Sequence, residues 1–334
     1  MTLISSMDEF RAINPVSNAL KLDIIQPFID NVEQEFIADI LGDTELANIQ
    51  TQYDDAGGGS VTGSASAIIG KIQKAVVWLS TLQWVDIGNI HTTPAGFQVT
   101  VTDKMAPASQ WRVEAYKHEC AKNGYKALQD LLIYLWSTSG VFSDWEASDE
   151  HDRHRALFVL NGKDIQSWVD IGNSYEIYCN LKPYIKTAMQ FHVRPIVGQE
   201  LYDDLVSENQ ANDVSDDNAI LLEKILPVCV FNALHDGLPR LSVIFNRYGI
   251  IEKSTAVGQD ATDINKPAGN DKLISLRREW QQNAILFENE LRQYLKDNAD
   301  TYALYADSDA FESTDTDDDD GDNINDQDRS VFLM

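Results

Sequence analysis

Two stretches of the chain carry the same pattern, one near the start and one in the middle. The first runs from Ile25 to Leu46 and the second from Leu181 to Tyr202. Each has a proline early, a glycine near its end, and apolar residues three and four apart, which is the spacing of one buried helical stripe. We therefore predict a helix in each stretch that starts near the proline and ends at the glycine in a left-handed C-cap. The matched pairs are 156 residues apart: Pro27 with Pro183, and Gly42 with Gly198.

The match continues along the chain in the same order, through a second apolar helix, a glycine-led short strand and a long helix. The strand begins at Gly96 in the first copy and at Gly249 in the second, at a spacing of 153. The long helices match at a spacing of 159, which pairs Leu135 with Tyr294. Four elements in one order at nearly one spacing predict a tandem duplication.

These patterns place the chain in the mainly α class. We predict two tandem helical repeats, each with a short β-strand or hairpin, and a disordered acidic C-terminal tail. With 334 residues the chain is long enough for two domains, each with its own core. The predicted divisions are 1–136 for helical repeat 1, 137–165 for a charged linker, 166–300 for helical repeat 2, and 301–334 for the tail.

Acidic residues dominate the charge. The 26 basic and 53 acidic residues give a net charge of −27. Eleven of the acids lie between Asp307 and Asp328 with no base among them, and the remaining 42 acidic and 26 basic residues still carry −16. This negative charge argues against a protein that binds a nucleic-acid backbone, because such binding uses Lys and Arg. It is compatible with a protein that lies next to DNA without binding it.

Targeting and redox features are sparse. The N-terminal segment lacks the basic and apolar regions of a signal peptide, and no apolar run is expected to cross a bilayer. The cysteines are odd in number and far apart, so we predict no disulfide framework and synthesis in a reducing interior. They are Cys120, Cys179 and Cys229.

Two acidic segments could suggest a metal. In the tail, carboxylates at every second position resemble a calcium loop, although Asn323 stands at the glycine position and no glutamate closes the loop. These calcium candidates are Asp318, Asp320, Asp322 and Asp326. His151 and His154 lie among acids in the segment 146–155, which we interpret as a solvated charged connector. We assign no metal and expect His192 to be a packed core residue.

Surface loops and strands are the candidates for contacts with other subunits. The glycine-rich loop after residue 54 is either a solvated connector or a mobile finger that reaches a neighbour. It is no phosphate loop, because that motif requires Gly-Lys followed by Ser or Thr. The nearest Gly-Lys pair, Gly70-Lys71, is followed by Ile72 and lies inside a helical pattern. The short strands could pair within the chain, for example through 87–90, or with another subunit. The candidate interface residues are Gly57, Gly58, Gly59, Phe97, Val99, Val101, Ile250 and Ile251.

No catalytic constellation stands out. The sequence has no nucleophile elbow, no dinucleotide fingerprint and no zinc spacing. We predict a protein that is not an enzyme and that needs no cofactor.

The second copy carries a family resemblance. It reads Leu181-Lys-Pro-Tyr-Ile, then Ile196-Val-Gly-Gln-Glu-Leu-Tyr202, and its long helix ends Leu291-Arg-Gln-Tyr-Leu295. This unit resembles the head–tail connector (adaptor or neck ring) proteins of tailed bacteriophages. It is most similar to those of Bacteroidetes phages, including ring proteins of crAss-like phages. The likeness covers 166–296 well and 10–136 more loosely, because the first copy lacks the Leu-Tyr after its glycine.

The resemblance implies two connector-like repeats in a structural virion protein that forms a ring, a dodecamer in the family, at the portal junction. Such a ring extends the DNA channel and docks the tail. The implied partners are further copies, the portal protein and other neck or tail ring proteins, with DNA passing through the lumen without specific binding and no membrane. The implied location is the virion, after synthesis in the host cytoplasm. The alternative function is an acidic all-helical binding module, either a DNA-charge mimic or a calcium-responsive adaptor.

Overall fold

The computed structural model describes residues 2–58, 61, 63–88, 90–93, 96–99, 109–138, 140–172, 174–241, 243–246, 249–252 and 270–311. The first half contains α1 (Met7–Ile13), α2 (Leu22–Val32), the π-helical turn π1 (Glu33–Ile37), α3 (Ala38–Asp55), α4 (Ser64–Ile87), β1 (Ile90–Thr93), β2 (Gly96–Val99), α5 (Gln110–Ser137), α6 (Ser143–Glu146) and α7 (Asp149–Arg155). The second half contains α8 (Gly162–Gln166), α9 (Tyr175–Ala188), the π-helical turn π2 (Met189–Val193), α10 (Arg194–Val197), α11 (Gln199–Ala211), α12 (Asp216–Leu241), β3 (Val243–Asn246), β4 (Gly249–Glu252), α13 (Asn270–Asp297) and α14 (Ala303–Ala306).

The element order confirms a mainly α fold built from two tandem helical repeats. In each half a helix passes through a π-helical turn, breaks at a glycine, and is followed by a long helix, a β-hairpin, a second long helix and a short helix. A short helix with a complete capping box precedes each copy: Ser6 with Glu9 at α1, and Asn161 with Asp164 at α8. One continuous hydrophobic core runs through both copies.

The repetition extends to single side-chain contacts. After α5 the rings of Tyr134 and Phe142 pack edge to face at 6.2 Å. After α13 the rings of Tyr294 and Tyr302 pack at 6.1 Å. Both members of the second pair follow their counterparts at the same spacing, which is 160 in the numbering of the chain. The spacing of 159 predicted from the sequence for the long helices is therefore wrong by one.

The two matched prolines do not lie near the start of their helices. Pro27 lies inside α2 and Pro183 lies inside α9, so the prediction that each helix starts near its proline is wrong. A proline in a helix interior removes one backbone hydrogen bond. In each copy the π-helical turn begins six positions after the proline, and such turns are frequent at functional sites.

The two matched glycines join helices at a bend. Gly42 has φ 74° and ψ 156°, and Gly198 has φ 83° and ψ 158°. The positive φ agrees with the prediction, but the predicted left-handed C-cap is wrong because ψ is extended. This region is essentially restricted to glycine. The chain therefore turns without a loop, and the next helix starts at once.

The short strands form hairpins within the chain. In the first hairpin Ile90 lies opposite Val99 and Thr93 lies opposite Gly96. In the second hairpin β3 pairs antiparallel with β4. The within-chain alternative is thus the arrangement seen, with β1 starting where the predicted partner segment 87–90 ends.

The segment 146–155, interpreted from the sequence as a solvated connector, is folded. Residues 149–155 form α7, in which His151, His154 and Arg155 are buried. The first part of the predicted tail is also folded, since α14 buries Tyr305, and the part from 312 onward lies outside the described residues. The periodicity of such short helices is too brief to be seen in the sequence.

One helix is long and apolar enough to cross a bilayer, although the sequence analysis expected no such segment. Residues Asp216–Gly237 of α12 are long and apolar enough, by length and composition, to cross a membrane. Within that stretch the most apolar window is 61% buried inside the fold, where α12 packs against α9 and α13. The feature is that of a core helix.

A buried carboxyl makes the stability depend on pH. Glu33 in π1 is 6% exposed and accepts a hydrogen bond from the Leu3 amide at 2.8 Å. Burial raises the pKa of Glu33 from 4.5 to about 7. The protonated carboxyl of Glu33 is therefore favoured in the folded state over the unfolded chain. The stability that this proton contributes is lost as the pH rises from about 4.5 to about 7.

We expect Glu33→Gln to flatten that part of the pH profile and to raise the free energy of unfolding at pH 8 by roughly 2–3 kcal/mol. The glutamine oxygen can still accept the Leu3 hydrogen bond. Urea unfolding across a pH series that brackets the folded and unfolded pKa measures the effect, with the exposed Glu35→Gln as the matched control. Identical profiles for the two variants would contradict the prediction.

Candidate functional site

The two repeats meet through surfaces that are not equivalent. Helix α5 of the first copy packs against α9 of the second, and α7 packs against α11. Tyr125 on α5 lies near Glu176 and Cys179 of α9, and burial together with these groups raises the pKa of Tyr125 to about 12. Gln129 is fully buried. A Cβ placed on Gly162 at the start of α8 would lie 2.5 Å from Gln129 Oε1, so the contact is close-packed.

Hydrogen bonds complete the junction between α7 and α11. The Asn209 side chain donates to the Leu157 carbonyl at 3.1 Å and also to the Arg155 carbonyl. Gln210 donates to the Asp152 carbonyl at 3.2 Å. The repeats are therefore joined by specific polar contacts as well as by the shared core.

A cleft of about 670 Å³ opens between the repeats. His154 lies in it, and its pKa falls to about 4 because the side chain is buried and Lys182 is close. Lys182 Nζ is 3.4 Å from His154 Nδ1, an arrangement in which the neutral ring accepts from the ammonium. At the rim Arg153 pairs with Asp39 at 3.1 Å and with Glu150 at 2.9 Å. The cleft can hold a polar or anionic side chain against Lys182.

The histidines considered as metal ligands have other partners. The His151 ring packs edge to face on Trp145 at 4.8 Å, and His154 faces Lys182. Among the described residues, no group of three or more His, Cys, Asp or Glu could hold a metal ion. The expectation that His192 is a packed core residue is only partly met. Its side chain is 33% exposed, and its Nδ1 lies 2.9 Å from the Glu288 carboxylate.

The glycine-rich loop begins as an ordered turn. The Gly58 amide donates to the Tyr53 carbonyl at 3.1 Å. A Cβ on Gly58 would lie 2.8 Å from Ser5 Oγ, so this residue lies against the N-terminal segment. Gly57 has open space around it. Whether the rest of the loop reaches a neighbour stays a prediction.

The structure places the other candidates on the hairpins or outside the described residues. In β2, Phe97 lies opposite Thr92. In β4, Ile250 lies opposite Phe245. The remaining hairpin candidates are Val99 on β2 and Ile251 on β4. Those outside the described residues are Gly59 and Val101, together with the calcium candidates Asp318, Asp320, Asp322 and Asp326.

A second candidate surface was missed by the sequence reasoning. Ile285 and Leu286 on α13 are each 52% exposed. The adjacent run Ala284-Ile-Leu286 is wider than one buried stripe, and this excess width is the signal that could have identified the surface.

Comparison with known families matches a single model to two segments of the chain, 37–155 and 193–315. The chain belongs to DUF6712, a family of unknown function. The two matches to DUF6712 begin at the spacing that separates the two prolines and the two bent glycines, 156 in the numbering of the chain. Each match runs past the second long helix and includes the short helix after it. No curated protein and no solved structure matches the chain.

Proposed function

We propose that this DUF6712 protein is a structural virion protein that forms a ring at the head–tail junction of a tailed bacteriophage. In this role it lies beneath the portal, extends the DNA channel and offers the tail a docking surface. Its partners are further copies of itself, the portal protein and other neck or tail rings. It acts without catalysis and without a cofactor.

The observation that supports this proposal most directly is the junction between the repeats. One helical unit already packs onto a second copy of itself within the chain, and it does so through unlike surfaces, α5 against α9. Contacts between unlike surfaces are the kind that build closed rings or open filaments. A chain made of two such units therefore offers the kind of unlike surfaces that a ring would use.

The charge of the chain also supports a channel. A net charge of −27 repels the phosphates of passing DNA, which lets the duplex slide instead of stick. An inner wall ringed by Lys and Arg would contradict this part of the proposal.

Mass measurement of the purified protein, alone and mixed with its portal, tests the proposal. We expect a large cyclic oligomer, or a monomer that forms rings only on the portal, and negative-stain images should show the ring. A small species that binds an unrelated partner with steep salt dependence would favour the acidic binding module instead. Turnover abolished by a few carboxylate substitutions would favour an enzyme.

A further inference from the structure

A cavity of about 390 Å³ lies at the junction of the repeats, next to the cleft that holds His154 and Lys182. Its walls include Trp136 near the end of α5, Arg155 at the end of α7, and Ser207 on α11. A cavity of this volume is within the range that small ligands occupy. The fold thus places a guanidinium and an indole beside a space that both repeats enclose.

Arg155 is a buried cation with most of its donors unused. The residue is 7% exposed, and its Nε has no hydrogen-bond partner among the described residues. The hydrogen bond that its guanidinium does form runs from Nη1 to the Asn209 carbonyl at 3.5 Å, which is a long contact. A guanidinium carries several N–H donors in a planar fork, so most of them remain for a ligand.

No carboxylate of the described residues lies within ion-pair distance of this guanidinium. Glu146 affects Arg155 electrostatically, but its Oε1 accepts a hydrogen bond from the Gly140 amide. Asp152 lies 3.2 Å from His151 Nδ1, and its side chain is largely exposed. Burial lowers the pKa of Arg155, yet an arginine stays charged in a protein. Because a buried charge without a partner is costly, the arrangement favours a bound anion.

A second unused donor lies beside the guanidinium. The Trp136 Nε1 is buried and has no hydrogen-bond partner among the described residues, although a buried indole N–H usually finds one. Arg155 Cζ lies 5.8 Å from the centroid of the Trp136 ring, so the two donor groups belong to one cluster. Ser207 and Asn212 line the same cavity and are exposed. A small solute can therefore enter from solvent.

We propose that this cavity binds an oxyanion, which is either a phosphate group or the carboxylate of a small molecule. The Arg155 guanidinium contacts the oxygens through its free N–H groups, as the planar fork does with carboxylate and phosphate. Trp136 Nε1 donates a further hydrogen bond. Because Arg155 belongs to α7 and Ser207 to α11, the bound anion stabilises the contact between the repeats. The site lies within one chain and does not depend on the proposed ring.

The charge of the chain determines how such binding behaves. A net charge of −27 repels anions at long range, so the affinity comes from the buried contacts. Buried charge pairs are screened by salt much less than exposed pairs. We therefore expect binding at a single site that persists in about 0.15 M sodium chloride.

Titration of the whole chain with sodium phosphate and, separately, with sodium acetate tests the inference at constant ionic strength. Calorimetry measures the affinity, and tryptophan fluorescence reports on the site because Trp136 lines it. We expect saturable binding of one anion per chain and a Tm that rises with the concentration of that anion. Binding of phosphate, of acetate or of both supports the site and identifies the ligand class. Binding of neither anion would overturn the proposal.

Three variants locate the bound anion. Arg155→Gln removes the charge and the fork and should weaken binding roughly 10- to 100-fold. Trp136→Phe keeps a ring, removes the N–H and should weaken binding roughly 2- to 10-fold. The matched control is Arg153→Gln, because that arginine pairs with Asp39 and Glu150 and does not line this cavity. The control should bind as the wild type does.

Unfolding curves monitored by circular dichroism check that each variant is folded. Equal dissociation constants for the wild type and a folded Arg155→Gln would mean an adventitious ion only, bound elsewhere, and the site would be wrong. If Arg155→Gln does not fold, Arg155→Lys replaces it, since lysine keeps the charge and lacks the planar fork. Wild-type affinity in both Arg155→Lys and Trp136→Phe would equally overturn the site. The proposed ring is tested separately, by mass measurement, and stands or falls on that result.

Discussion

Replacing Trp145 by alanine should lower the free energy of unfolding by about 3–5 kcal/mol. The side chain is 1% exposed and its Nε1 donates to the Ile40 carbonyl at 2.9 Å. Its amide donates to the Glu45 carboxylate at 3.2 Å. The substitution would therefore leave a cavity and a buried carbonyl without its donor at the same time. Because Trp145 ties the segment after α5 back onto α3, its loss should detach that segment.

Urea unfolding followed by circular dichroism measures the Trp145 effect. The matched control is Trp168→Ala, because Trp168 is 39% exposed and packs at the edge of Phe287. The control should lose roughly 1–2 kcal/mol, as expected for a half-exposed aromatic contact. Trp145→Phe adds a second comparison, since it keeps most of the packing and removes the indole hydrogen bond. Equal losses for Trp145→Ala and Trp168→Ala would show that the buried contact is not the cause.

Replacing Gly198 by alanine should destabilise the protein by about 2–6 kcal/mol, from backbone strain and overpacking together. The glycine has φ 83° and ψ 158°. An L-residue held in this region is strained by about 1–3 kcal/mol. The new methyl group would also lie 2.8 Å from Ser308 Oγ and 2.9 Å from Ser308 Cβ. Overpacking of this kind costs about 1–3 kcal/mol, so thermal unfolding should show a clear fall in Tm.

The control for the glycine prediction is Gly70→Ala. Gly70 lies inside α4, and an added Cβ would have nothing within 4 Å. Alanine should therefore stabilise that helix by about 0.5–1 kcal/mol. The double variant Gly198→Ala with Ser308→Gly separates the two costs, because it removes the overlap and keeps the backbone strain. If Gly198→Ala melts like Gly70→Ala, the bend does not require a glycine and the prediction is wrong.

The sequence predicts the repeated architecture well, because the helical apolar pattern and the matched prolines and glycines occur twice in the same order. The helical class and the tandem repeat are confirmed by the structure, and the repeat is visible down to Tyr134 and Tyr294. The predictions that proved wrong concern local features, such as where each helix starts. A proline is an acceptable start signal for a helix, yet Pro27 and Pro183 lie in helix interiors, where tertiary packing outweighs the missing hydrogen bond.

The register of the long helices could not be read from the apolar pattern. In α5, Leu131 and Leu132 are adjacent and both buried, so the sequence fits spacings of 159 and 160 equally well. Helix α5 packs against α4 of its own repeat and also against α9 of the other repeat. A local apolar pattern does not encode the second of these contacts. The exposed apolar surface of α13 was missed although the wide apolar run Ala284-Ile-Leu286 indicates it. Trp145 and α7 were missed because their helices are no longer than two turns.

The covalent link between the repeats has a consequence for how an assembly of this chain would grow. If the repeats follow one another around the proposed ring, every second repeat-to-repeat contact is formed inside a single polypeptide and does not depend on protein concentration. Tethered partners commonly meet at effective concentrations in the millimolar range, whereas separate molecules must first accumulate and collide. Tandem fusion thus halves the number of encounters needed for closure, and it fixes the alternation of the two unit types around the circle.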